Sequence, residues 1–254
     1  MLKNLFLLRS AYVLLFVGVI AVNGAANALP INGLTTGAVS DLYPNLFTPA
    51  GFAFSIWGLI YSGLLAFLIR ILTTSNTELV GKLFPWFALN SLANMAWIFA
   101  WHHLQVVTSL VLMLVLLSSL IYLTAELRSY TRSSKEIRFF NAVFEVYLGW
   151  ITVATVANFT ALLVAFNWNA LGINEEHWML IILPVIVVIA LVMYVKQTSA
   201  VYLLPIIWAL YGTHAKHIGV FQGQFPLVIK VVKLSIAALL LSVIIKNRLW
   251  LKNT

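Results

Sequence analysis

Three short stretches carry residue types, at helical spacing, that suit the binding of an apolar molecule. The stretch EVYLGWITVATVANFTALLVAF spans residues 145–166. At 3.6 residues per turn, Tyr147, Trp150, Ala154 and Asn158 recur at spacings of three and four and share one stripe. A small residue between an indole and an amide leaves a recess with a polar handle, which is how an apolar pocket orients a ligand. Val146, Leu148 and Val153 fall on the other side, which suits lipid or packing. In LNSLANMAWIFAWHH (89–103), Asn90, Asn94, Trp97 and Trp101 again share a face. In FTPAGFAFSIWGLIYSG (47–63), Phe54, Trp57 and Tyr61 do the same, and Gly51, Gly58 and Gly63 permit close backbone approach. Small residues and amides are also ordinary glue between membrane helices, so one stripe alone does not separate pocket from packing. Interfacial belts explain Trp86, Trp168, Trp178 and Trp250 near the ends of apolar runs. Trp57, Trp97 and Trp150 lie further inside, and a shared interior cavity accounts for all three.

Catalytic signals are sparse. There is no phosphate loop, no nucleophile elbow and no pair of carboxylates, so binding is a better reading than an enzyme. Absence of Cys excludes disulfides and thiolate metal sites. His102, His103, His177, His214 and His217 fall on one side of the expected topology, but no segment has a metal-ligand spacing, and no metal site is assigned. Glu145 lies inside an apolar run, where an acid is a functional candidate. We expect it to pair with a base near the inner face, such as Arg70 or Lys196; proton relay is the alternative. Lys230 and Lys233 are expected to snorkel.

The elements that must position these residues are membrane helices. The chain of 254 residues is 62% hydrophobic and 9% charged. Soluble domains carry roughly 25% charged residues, so the solvent is a bilayer. The fold class is all-α, a polytopic helical bundle, because nothing alternates with period two as a barrel would. Eight spans are predicted: 8–28, 51–71, 83–102, 106–126, 139–166, 177–195, 199–215 and 226–246, the seventh short and interrupted by Pro205. The net charge of +8 does not indicate nucleic acid, because the basic residues sit between the apolar runs. With the N-terminus inside, Lys3, Arg9, Arg70, Lys82, Arg128, Arg132, Lys135, Arg138, Lys196, Lys246, Arg248 and Lys252 are inner, against Lys216, Lys230 and Lys233 outer. That bias puts both termini in the cytoplasm of a multi-pass protein, in the cell membrane by expectation.

The same residues carry a resemblance. YLGWITVATVAN (147–158) resembles the fifth helix of the TspO/MBR family, the tryptophan-rich sensory proteins and mitochondrial translocator proteins. Tyr147, Leu148, Trp150, Ala154, Thr155 and Asn158 match that pattern, Asn94, Trp97, Phe99 and Trp101 match its third helix, and Pro49, Trp57 and Tyr61 its second. The resemblance covers roughly residues 8–166 and implies a five-helix core, 1–166, with a lid loop at about 29–50. It leaves 167–254 as three additional helices of a longer branch. It implies a sensor or carrier that needs no cofactor and takes a porphyrin, haem or another tetrapyrrole as ligand. The family's pocket residues carry over to Trp57, Asn94, Trp97, Trp150 and Ala154, the helical stripes add Tyr61, Tyr147 and Asn158 to the candidate ligand set, and Pro49 falls in the lid. The family's Pro-Pro pair is reduced to Pro49, and its sterol motif is missing from FTALLVAFNWN (159–169). Lys3, Arg9 and the apolar run that follows also read as a cleavable signal peptide; the resemblance needs that helix, which favours retention. Expected partners are membrane lipid and a small hydrophobic ligand, with a homodimer left open. A proton-coupled transporter and a non-catalytic scaffold are the rival readings.

Overall fold

Hydrophobic runs of twenty residues and more have one way to satisfy their backbone in lipid, and they fold accordingly. The computed structural model describes residues 2–130, 135–196 and 199–252. Arg132 lies outside the described residues, as do the side chains of Lys3, Arg248, Trp250 and Lys252. The helices are α1 (Leu2–Ala28), a short α2 (Thr36–Asp41), α3 (Ile56–Thr73), α4 (Thr77–His102), α5 (Val106–Tyr130) and α6 (Lys135–Ala165). Then follow α7 (Glu175–Lys196), α8 (Leu203–Gly219) and α9 (Pro226–Lys252). Among the described residues there is no strand.

Seven of these helices are long and apolar enough to cross a membrane, against the eight spans expected. The difference is α8. Its 17 residues extend roughly 26 Å, a little less than a bilayer core of about 30 Å. The seventh span was also expected to be interrupted at Pro205. Instead a 3-10 turn, Ala200–Tyr202, precedes α8 and Pro205 falls in the helix's first turn, where its missing N–H removes no bond. Most other helices extend beyond the apolar windows, because polar flanks such as Thr77–Lys82 and Lys135–Arg138 continue the helical hydrogen bonds. Local caps set several starts. The Asn76 carboxamide oxygen accepts from Leu79 N at 3.0 Å, and that of Asn174 accepts from His177 N at 2.8 Å.

Side chains sort as the solvent demands. Leu14, Leu59, Val111, Val188 and Leu241 are exposed, whereas Asn90, Asn94, Glu145, Thr152 and Asn158 are buried. In α1, Tyr12 is enclosed by Phe67, Phe84 and Phe87, and its hydroxyl donates to the Val80 carbonyl at 2.9 Å.

Two glycines mark where α8 closes on the rest. A Cβ at Gly149 would stand 2.3 Å from the Tyr202 carbonyl oxygen, so α6 meets the start of α8 backbone to backbone. A Cβ at Gly212 would stand 2.8 Å from Ala53 Cβ and 2.9 Å from Pro49 Cβ. Of the three glycines expected to allow close approach in α3 and the turn before it, only Gly63 does, against Val143; Gly51 and Gly58 face open space.

Candidate functional site

The aromatic side chains of α3, α4 and α6 converge. Trp57 stacks on Tyr61 with centroids 5.4 Å apart and meets Tyr147 edge-on at 5.7 Å and Trp150 at 6.4 Å. Phe54 meets Trp150 edge-on at 5.8 Å, and Trp97 lies nearly parallel to Trp101 at 6.0 Å. Edge-to-face pairs of this kind hold rings apart at fixed angles rather than filling space. They border a cavity of about 50 Å³ whose wall includes Pro49, Phe54, Trp57, Trp97, Trp101, Trp150, Ala154 and Asn158. A second space of about 360 Å³ adjoins it across Thr36, Phe54, Trp57 and Trp97, and reaches Tyr61, Asn23 and Asn27.

Two of the sequence-predicted residues are elsewhere. Asn94 and Tyr147 are buried outside both cavity walls. Asn94 accepts from Asn23 Nδ2 at 2.7 Å and donates to the Tyr147 hydroxyl at 3.0 Å. This chain joins α1, α4 and α6 and fixes the helices that carry the indoles. Asn158 lines the cavity, and its Oδ1 accepts from Ser109 on α5 at 2.8 Å. Val153, read from the sequence as lying away from the stripe, also lines the cavity, because the exposed arc of α6 is wider than one residue. Asn23 and Thr36 were missed; Asn23 is one amide in an apolar run, and nothing local says what it faces.

The Trp97 indole N–H is buried and, among the described residues, has no hydrogen-bond partner. Leaving such a donor unpaired costs about 1–3 kcal/mol. By contrast, the Trp101 N–H donates to the Thr36 carbonyl at 3.2 Å.

The segment 29–50 contributes Thr36, Ser40, Thr48 and Pro49 to the cavity wall. One end is pinned to α4. Asn32 donates to the His102 carbonyl at 3.0 Å, and the His102 ring bridges the Ile31 carbonyl at 3.0 Å and the Thr36 hydroxyl at 3.1 Å. A carbonyl only accepts, so Nδ1 carries the proton, and in the neutral ring Nε2 accepts from Thr36. The other end, residues 44–50, forms a strap held by α8. Thr213 donates to the Phe47 carbonyl at 3.0 Å, His217 Nε2 donates to the Leu46 carbonyl at 3.0 Å, and Ala50 N donates to the Gly212 carbonyl at 3.1 Å. Trp208 adds a bond to the Ala53 carbonyl at 2.9 Å. His102 and His217 therefore hold backbone, and among the described residues no three His, Asp or Glu side chains converge as metal ligands would.

The family model for TSPO-like protein matches residues 9–245. The chain belongs to the TSPO-like family. The match extends past residue 166, where the motif resemblance ends, and takes in α7, α8 and most of α9. Comparison with curated proteins and with solved structures returns no match. This TSPO-like chain is an integral multi-pass membrane protein, and its family membership supports a membrane ligand-binding or sensor role.

Glu145 is fully buried on α6 of this bundle. Of its expected partners, Arg70 pairs with Glu136 instead, at 3.1 Å, because Glu136 is nearer the helix end where Arg70 stays exposed, and Lys196 forms no ion pair among the described residues. Glu145 accepts from Asn141 Nδ2 and from Ser199 N, each at 2.9 Å, and from the Ser199 hydroxyl. Arg128 and Lys246 lie within electrostatic reach. The carboxylate thus ties α6 to the turn that starts α8. Glu145→Ala should lower stability by about 1–3 kcal/mol, because the Ser199 N–H and the Asn141 amide lose their acceptor. Glu145→Gln keeps a carbonyl acceptor and should lose less; thermal unfolding of both variants in detergent checks the order.

Proposed function

We propose that this protein is a membrane sensor or carrier that holds a flat, apolar tetrapyrrole such as a porphyrin or haem between the indoles of Trp57, Trp97 and Trp150. The observation that carries the reading is Trp97, whose ring is on a wall shared by two adjoining cavities and whose buried N–H has no hydrogen-bond partner among the described residues. Ring faces there offer stacking surface, and that N–H offers one directed bond to an acceptor on the ligand. Asn94, Tyr147 and Asn158 hold the helices in register behind the ligand, and Ala154 leaves room. Both termini are read as cytoplasmic, from the bias of Lys and Arg, which requires α8 to cross along with the seven longer helices.

The test is titration of the purified protein with protoporphyrin IX, followed by tryptophan fluorescence, beside Trp97→Phe. Saturable quenching that weakens about tenfold in the variant is expected, the size of one lost hydrogen bond. Equal, non-saturable quenching in both would mean that porphyrin only partitions into detergent, and would overturn the reading.

A second reading, proton-coupled transport, draws on Glu145, a fully buried acid whose hydrogen-bond partners Asn141 and Ser199 are neutral. Proton uptake by liposomes on adding a substrate gradient, lost in Glu145→Gln, would favour it.

A further inference from the structure

A second cleft lies on the far side of the strap from the Trp57 and Trp97 cavity. It holds about 110 Å³ and is walled by Pro44 and Phe47 of the strap, Thr160 at the end of α6, and Trp168, Trp178 and Met179. Trp168 and Trp178 stand 4.8 Å apart at 69°, so the two indoles form an angled corner. Glu175 is the one ionisable residue on the wall. Among the described residues it forms no ion pair. Nor is it needed as the cap of α7, since Asn174 already accepts from His177 N at 2.8 Å.

From this arrangement we infer that the cleft is a second binding site, for an organic cation with an aromatic or alkyl body. Indole faces attract a cation through their quadrupole, and quaternary ammonium groups are recognised by such aromatic walls. The lone carboxylate at the rim supplies the opposite charge, and Met179 with the strap residues supplies an apolar seat for the body. An anion of the same shape would meet the Glu175 carboxylate instead of a complementary charge. The cleft uses none of the residues assigned to the porphyrin, so it stands independently of that reading.

The probe is benzyltrimethylammonium, titrated calorimetrically into the full chain in detergent. Phenylmethanesulfonate, an anion of similar shape, is the control, and Glu175→Gln and Trp178→Leu are the variants. Expected are saturable binding of the cation only, weakening of about fivefold in Glu175→Gln, and weakening of about tenfold in Trp178→Leu. Glu175→Gln is exposed and should unfold at the wild-type temperature, which separates lost recognition from lost fold. No saturable cation binding, equal affinity in wild type and both variants, or equal binding of the anion would each overturn the inference.

Discussion

Gly149→Ala is expected to loosen the docking of α8 and lower the unfolding temperature. The new methyl carbon would stand 2.3 Å from the Tyr202 carbonyl oxygen and 3.2 Å from Pro205 Cγ. Backbone cannot rotate away as a side chain can, so α6 and α8 must separate. Overpacking of this kind costs about 1–3 kcal/mol, and a rigid contact belongs at the upper end. The effect should spread, because α8 holds the strap through Thr213, Gly212 and His217. Porphyrin affinity should therefore fall with stability, although Gly149 lines neither cavity wall. Gly58→Ala is the control: nothing lies within 4 Å of its added carbon. It should be neutral or slightly stabilising, as a helix interior prefers alanine. An unchanged unfolding temperature for Gly149→Ala would show that the α6–α8 contact gives way easily.

Ala154→Phe should abolish porphyrin binding while leaving the fold intact. Ala154 is on the cavity wall beside Trp150 and Val153. A phenyl ring there enters unfilled space and takes the place of the ligand. Affinity should drop about a hundredfold or more, corresponding to roughly 2.7 kcal/mol. The unfolding temperature should hold or rise, since filling a void restores contacts that its lining lacks. The pair of readouts discriminates the readings. If the stripe of α6 only packed helices, the ring would clash, and stability would fall with no selective effect on porphyrin.

Much of this fold is legible from local pattern. Apolar runs of about twenty residues specify membrane helices because no other open structure satisfies the backbone in lipid. The stripe Tyr147, Trp150, Ala154 and Asn158 follows from helical periodicity alone, and so does the pairing of Asn94 with Trp97. Periodicity says which side chains share a face; it does not say what that face meets. Hence Asn94 and Tyr147, which share faces with the indoles, turn out to bond to each other, while Val153 reaches the cavity. Glu145 shows the same limit. Its position in a span was plain, but Ser199, its partner, is 54 residues away and is an ordinary serine at the edge of the expected seventh span.

The sequence by itself determined that the chain is a helical membrane protein, where nearly all its helices lie, and that several aromatic and amide residues share faces. Those properties depend on contacts a few residues apart and on the solvent, both readable from composition and spacing. Only the tertiary structure decided that the strap over the cavity is fastened by α8. The Phe47–Thr213 and Ala53–Trp208 bonds join residues 166 and 155 positions apart. Their donors and acceptors are backbone carbonyls and common side chains, which carry no sequence signature until folding brings them within reach.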